Sequence, residues 1–267
     1  MLVVCATPIG NLEDVTLRVL RELREADVVL CEDTRHTRRL LDAHGVRTRT
    51  LSYHEHNEAA RTAQVLPRLE AGERIALVSD AGMPGISDPG ARLLAATLGA
   101  GIPVTVLPGP SAVETALVAS GLLAERYAFI GFLPRGEAAL ARVWADVAAA
   151  EGPTVAFESP RRLPSTLGSL ARTLPAADVA VCRELTKRHE EVVRGTASEV
   201  AARFDEAPKG EVTLVIRTAG AAPAADVREA AAAVAELVGA GIPRRHAADV
   251  LARVTGLPRR RLYDMSL

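Results

Sequence analysis

Short apolar runs alternate along the chain with longer stretches in which apolar residues recur every three or four positions. The runs read as buried strands and the periodic stretches as helices that bury one face. Over the first 120 residues the alternation is regular. Leu2–Ala6, Val28–Cys31, Arg74–Val78 and Pro103–Leu107 read as strands. Helices are expected through Val15, Leu17, Leu20 and Leu23, and over Thr34–His44, Asn57–Ala71, Pro89–Ala100 and Ser111–Ser120. Gly45, Gly72, Gly101 and Gly121 stand just past four of these helices, where a left-handed C-cap favours glycine. Ser111 and Glu114 have the spacing of a capping box. Strands and helices in strict alternation predict a largely parallel α/β sheet.

Near Gly121–Arg126 the rhythm restarts. Tyr127–Phe132, Thr154–Glu158, Asp178–Glu184, Glu190–Gly195 and Glu211–Arg217 read as strands. Glu137–Ala150 reads as a helix stopped by Gly152, and Ser159-Pro160 as an N-cap with proline at the first helical position. Fewer helices per strand predict a mixed sheet. The Ala/Pro stretch Ala219–Ala225 reads as a linker. Only helical patterns follow it, over Asp226–Val238, Arg244–Val254 and Pro258–Leu267. The expected architecture is two α/β domains, residues 1–120 and 121–218, plus a small helix-turn-helix-like tail over 226–267.

Length and composition agree with this division. A chain of 267 residues exceeds one ordinary core, and 48% apolar residues with a mean hydropathy of +0.13 can fill two. The net charge of −1 excludes a whole-chain basic field, so a nucleic acid would have to be met by local patches. Cys5, Cys31 and Cys182 each sit inside a strand-like run with no CxxC pair. They read as small buried hydrophobes of a reducing compartment, not as zinc ligands or disulfides. No apolar span of membrane length and no signal-peptide pattern is present, so a soluble cytoplasmic protein without a membrane partner is expected. His54, His56 and Asn57 in "YHEHN" lack further ligands, and no metal is expected.

Three loops of the first half share one design: a strand end, a Gly/Pro loop, then a helix start. They are Thr7–Asn11 ("TPIGN"), Ser79–Gly90 ("SDAGMPGISDPG") and Pro108–Ala112 ("PGPSA"). In an open parallel sheet the ligand crevice lies beyond such strand ends. None holds the lysine of a phosphate cradle, and neither GxxxxGK[ST] nor GxGxxG occurs. Asp80 and Asp88 would repel a phosphate and suit a ligand with hydroxyls, an amino group or positive charge. The residues by themselves therefore indicate a nucleoside-like or cationic small ligand. Glu32, Asp33 and Arg35 ("CEDTR") stand directly after the second strand, where a cleft is expected. Basic clusters at Arg35, Arg38 and Arg39, at Arg161 and Arg162, and at Arg183, Lys187 and Arg188 supply local basic patches.

Seven motifs in order, "ATPIGNLEDVTLR", "CEDTRHTRRLL", "SDAGMPGISDPG", "LPGPSA", "GFLPR", "FESPRRL" and "RELTKRHEE", resemble the ribosomal RNA small subunit methyltransferase I family of the tetrapyrrole-methylase (class III) superfamily. The resemblance implies two α/β domains of tetrapyrrole-methylase type with S-adenosyl-L-methionine (AdoMet) in the cleft between them. It implies a homodimer acting on 16S rRNA or the small ribosomal subunit. The implied reaction is methylation of the ribose 2′-OH of a decoding-region cytidine, position 1402 in the usual rRNA numbering. Carried over to this chain, the cofactor residues are Pro8, Ile9, Asp80, Gly82, Met83, Ile86, Ser111 and Ala112. Phe157, Glu158, Thr213 and Leu214 would close over the adenine from the second half.

Proton-acceptor candidates are Glu32, Asp33, Glu158 and Lys187, the last only if burial lowers its pKa; the sequence does not choose among them. The RNA face falls on Arg35, Arg38, Arg39, Arg161, Arg162, Arg183 and Arg188, with Arg259 in the tail. One departure is visible. Met83 stands where the family commonly has threonine, and Gly82-Met83-Pro84 lacks the Gly-Asp-Pro acid of tetrapyrrole methylases, which argues against a tetrapyrrole substrate. Other readings are a methyltransferase of the same superfamily acting on a tetrapyrrole or a protein side chain, and a nucleoside-sensing regulator with a helix-turn-helix. The regulator leaves the charges at the strand ends unexplained.

Overall fold

The computed structural model of the protein describes residues 1–218, 227–255 and 257–266. The expected linker Ala219–Ala225 and the glycine of the expected tail turn, Gly256, lie outside the described residues. The first sheet holds β1 (Leu2–Cys5), β2 (Val28–Cys31), β3 (Thr50–Ser52), β4 (Ile75–Val78) and β5 (Val104–Leu107), in the order β3-β2-β4-β1-β5 and wholly parallel. Its inner strands are apolar at every position because both faces are covered. Val3, Cys5, Val29, Cys31, Ala76 and Val78 face α1 (Leu17–Glu25) and α2 (Thr34–Ala43). The alternate residues Leu2, Val4, Val28, Leu30, Ile75 and Leu77 face α3 (Glu58–Glu70) and α4 (Ala91–Gly99). β3 escapes the pattern reading because it is three half-buried residues long.

The second sheet joins β6 (Ala128–Phe132), β7 (Thr154–Glu158), β8 (Asp178–Arg183), β9 (Glu191–Thr196) and β10 (Val212–Arg217) in the order β6-β7-β10-β8-β9. β6 runs parallel to β7 and the other neighbours are antiparallel, so the sheet is mixed, as expected. One face buries Trp144 of α6 (Glu137–Ala149) and Leu163, Leu167 and Leu170 of α7 (Leu163–Thr173). The Trp144 indole N–H donates to the Ser169 hydroxyl at 3.1 Å, so this large ring is buried without an orphaned donor. The opposite face is covered by α5 (Ala112–Ser120), whose Val113, Ala116 and Leu117 meet Val155, Ala180 and Val215. The last helix of the first half thus forms the floor of the second sheet.

Three local expectations are corrected. Ser111 does not close a capping box: its hydroxyl donates to the Glu114 carboxylate instead of accepting a backbone N–H. A capping box does form at Thr196 and Glu199, ahead of the short helix α8 (Ala197–Ala201). Helix α7 begins at Leu163, with Pro164 inside its first turn, because Ser159 to Arg162 form a tight turn closed by the Ser159 carbonyl. Gly152 is not a left-handed cap; α6 ends at Ala150 in extended backbone, and a Cβ on Gly152 would overlap the Arg126 carbonyl.

After the second sheet come α9 (Val227–Gly239), α10 (Arg244–Thr255) and α11 (Arg259–Met265). They bury Ala230, Val234, Ala247, Ala248 and Leu262 among themselves. Val254, at the end of α10, is exposed. Among the described residues no helix is long and apolar enough to cross a membrane.

Candidate active site between the two sheets

The three Gly/Pro loops meet at the C-terminal edge of the first sheet. Thr7 and Gly82 exchange both backbone hydrogen bonds, at 2.9 and 3.1 Å, which fuses the first two loops. The Thr7 hydroxyl donates to the Ser79 carbonyl at 3.1 Å, and the Ser79 hydroxyl donates to the Gly82 carbonyl at 3.0 Å. Gly82 has φ +78°, a conformation that costs any other residue. Apolar β4 therefore delivers Asp80 to a rigid edge.

A cavity of about 470 Å³ opens between this edge and the second sheet. Of the residues expected to hold a cofactor, Ile9, Asp80, Gly82, Met83, Ile86, Ser111 and Ala112 line one wall. Phe157, Glu158 and Thr213 line the other. Pro8 and Leu214 do not reach it. Side chains alternate along a strand, so where Thr213 faces the cavity Leu214 faces the α6–α7 core with no exposed surface. Pro8 is buried behind the edge. Met83 lines the cavity and also packs against the core beneath α3 and α4.

Sequence reasoning missed Phe132 as a wall residue. Its ring lies edge-on to Phe157 with centroids 5.4 Å apart, and it is 62% exposed at the mouth. A phenylalanine left exposed at the end of β6, in "GFLPR", was the available signal. Asp88 and Glu211 also line the cavity.

The wall formed by the first sheet is acidic. The Asp33 N–H donates to the Asp80 carboxylate at 3.1 Å, tying the end of β2 to the end of β4. Burial, and then the nearby Asp80 charge, push the Glu32 carboxyl up from its ordinary range. Burial, with Glu32 and Asp80 beside it, pushes Asp88 up to about 7. Burial is the larger cause of both shifts, and the neighbouring carboxylates add to it.

The proton-acceptor candidates separate on this geometry. Asp33 caps α2, accepting the Arg35 N–H at 2.8 Å, and the hydrogen bonds from Arg35 hold its carboxyl below the usual range. Glu158 is fully engaged. One oxygen accepts the Ser159 N–H at 2.6 Å; the other accepts the Thr166 hydroxyl at 2.5 Å and Arg162 at 3.1 Å. Lys187 donates to Glu184 at 2.8 Å and to Glu211 at 2.6 Å. Burial lowers its pKa, but those two hydrogen bonds outweigh burial and the net shift is upward. A lysine so held keeps its proton, which corrects the expectation that burial could make it a base.

The halves interlock beside the cavity. The Asn11 N–H donates to the Thr186 hydroxyl at 3.0 Å. Ser87, Glu184 and Thr186 carry positive φ of 63°, 51° and 65°. Non-glycine residues held this way mark strain that surrounding packing must sustain, and all three lie on loops that border the cavity or the interlock. A Cβ on Gly10 would come within 2.5 Å of Lys187 Cγ and 2.9 Å of the Leu185 carbonyl. Gly10→Ala is therefore expected to pry the halves apart and cost about 1–3 kcal/mol, as overpacking does. Chemical denaturation would measure it, and a change below about 0.5 kcal/mol would show the contact to be soft.

The arginines divide in a way that their sequence positions did not reveal. Arg162 donates to the Leu133 and Pro134 carbonyls, both at 2.8 Å, and to Glu158, so it holds the protein together. Arg183 is bound to Glu191 and to the Lys209 carbonyl. Arg38 reaches the Thr48 carbonyl and the Thr50 hydroxyl, Arg35 pairs with Asp33, and Arg259 pairs with Asp249. Arg39, Arg161 and Arg188 are exposed, and their side chains make no hydrogen bond or ion pair among the described residues.

Comparison with known proteins places this chain in a family. Residues 1–201 match the family model of tetrapyrrole (corrin/porphyrin) methylases. The chain is 46% identical to ribosomal RNA small subunit methyltransferase I of Mycobacterium tuberculosis, over 98% of this chain and 93% of that one. It is 43% identical to the protein of that name from Synechocystis, over 100% of this chain and 97% of that one. The chain belongs to the ribosomal RNA small subunit methyltransferase I family, within the tetrapyrrole methylases. A solved uroporphyrin-III C-methyltransferase of Thermus thermophilus, in complex with S-adenosyl homocysteine, shares the fold. It aligns with a TM-score of 0.56 and 22% identity, over 80% of this chain and 96% of that one. The expected fold class is the one observed: two α/β layers with the cavity between them and a helical tail.

Proposed function

We propose that the protein transfers the methyl group of AdoMet to the ribose 2′-oxygen of a decoding-region cytidine of 16S rRNA, as a cytoplasmic homodimer. Methylation of small-subunit rRNA is the activity named for its relatives, and the 2′-oxygen and the nucleotide are what the resemblance of the motif series implies. AdoMet is the cofactor of this methyltransferase. When bound, it supplies a methyl carbon already activated by a sulfonium. The observation that carries the reading is the two-sided cavity. Asp80 on one wall suits the ammonium and sulfonium, while Ile9 and Phe157 offer apolar surface to the adenine. In our reading residues 1–120 and 121–218 are the two domains that close on the cofactor. Residues 226–267 form an RNA-facing tail through Arg259, and Arg35, Arg39, Arg161 and Arg188 meet phosphates.

A tetrapyrrole substrate is disfavoured by Met83, which stands where an acid is expected for such substrates. Incubation with tritiated AdoMet and either purified small subunits or naked rRNA tests the reading. Label is expected in one of the two, at a position where the neighbouring phosphodiester becomes resistant to alkali. No label in either, with AdoMet binding intact, would overturn the proposal.

A further inference from the structure

The reaction proposed above must dispose of the 2′-hydroxyl proton, and the four acceptors suggested by the sequence are poorly placed to take it. Asp33 is spent on a helix cap, Glu158 on Arg162 and Thr166, and Lys187 is held charged by two carboxylates. Glu32 borders the acidic group but is not part of the cavity wall. Asp88 differs from all of them. It lines the cavity, and among the described residues no donor reaches its carboxylate. The backbone around it is constrained. Ser87 before it is held at φ +63°, and Pro89 and Gly90 follow. A Cβ on Gly131 would be 3.5 Å from the Ser87 hydroxyl, so this loop tip reaches β6 of the second sheet. Asp88 thus sits where the two halves meet.

We infer that Asp88 is the catalytic proton acceptor of the methyl transfer, with Asp80 of the same loop serving the cofactor. The inference rests on the methyl-transfer reading. As the bond from the 2′-oxygen to the methyl carbon forms and the carbon–sulfur bond breaks, the hydroxyl proton passes to the Asp88 carboxylate. The thioether product leaves neutral, and Asp88 then returns its proton to water. The charged groups around Asp88 are Glu32 at the end of β2 and Asp80 at the end of β4. Across the cavity stand Glu158 and Glu211, each already paired. Burial and the two neighbouring carboxylates bring Asp88 to about 7, where a general base is most effective.

Asp88→Asn keeps size and removes the acceptor, and Asp88→Glu restores it. For the Asn variant, calorimetric affinity for S-adenosyl homocysteine is expected to stay within about threefold while kcat falls roughly 100- to 1000-fold. The wild-type rise of kcat/KM through about pH 7 should vanish in the Asn variant and return in the Glu variant. A readout without any ligand accompanies these. The folded-state pKa lies above the unfolded value, so wild-type Tm should fall relative to Asp88→Asn as pH rises from about 4 to about 7, then run parallel.

Unchanged kcat and pH profile in an Asn variant of an active enzyme would overturn the assignment. So would a loss confined to cofactor affinity with kcat intact at saturation, which would make Asp88 a cofactor ligand. If the wild-type enzyme labels no RNA at all, the methyl-transfer reading itself has failed.

Discussion

Asp80→Ala is expected to weaken AdoMet binding by one to more than three orders of magnitude. The carboxylate stands at the end of a fully buried strand, on an edge locked by the Thr7–Gly82 bridge, and it faces the cavity. Its partner on the protein side is a single backbone N–H, from Asp33. Truncating one member of a desolvated, hydrogen-bonded charge pair costs about 2–5 kcal/mol. At a factor of ten for each 1.4 kcal/mol, affinity falls roughly 30- to 4000-fold. Asp80→Asn still accepts the Asp33 N–H, so it should hold the loop and lose only the charge, falling between wild type and alanine. Titration calorimetry with S-adenosyl homocysteine reads both variants. Unchanged affinity for Asp80→Ala would remove the carboxylate from the binding site.

Arg162→Ala should give the largest loss of stability. The Glu158 side chain has no exposed surface and Arg162 is its countercharge, at 3.1 Å. Removing one partner of such a pair leaves a buried charge and costs about 3–5 kcal/mol. Thr166 and Ser159 still donate to Glu158, so the lower end, about 3 kcal/mol, is expected. For a protein of this size that is a Tm drop of roughly 6–12 °C. The Arg162→Ala/Glu158→Gln double variant should recover part of it, because neither group is then left charged in the interior. Urea unfolding of the wild type, the two single variants and the double variant completes the cycle. A single-variant loss under about 1 kcal/mol would show that water reaches Glu158.

The parallel sheet was legible because burial on both faces leaves a continuous apolar run that few other structures produce. The three loops at its edge were legible for the same reason: strand ends in such a sheet have one destination. What escaped was decided by partners far away in sequence. Thr213 and Leu214 are adjacent and equally plausible until the register of β10 assigns them to opposite faces. Arg162 and Arg161 look alike as letters, yet one is consumed by Leu133, Pro134 and Glu158 while the other is exposed. Lys187 seemed open to deprotonation until Glu211, from a different strand end, came to lie 2.6 Å away. Ser111 shows the same limit at short range, since spacing alone cannot say whether its hydroxyl turns to a carboxylate or to the backbone.

The cavity walls come from opposite ends of the fold, one from residues up to Val113 and the other from Phe132 onward. Neither half alone can offer a complete site, so the cofactor recognises only the joined molecule. Its binding energy adds directly to the resistance of the joined form against opening. A hundredfold excess over the dissociation constant supplies about 2.7 kcal/mol by mass action. That increment rivals the strain expected from a methyl group at Gly10. The resistance of the joined form against opening therefore rises with the concentration of its methyl donor.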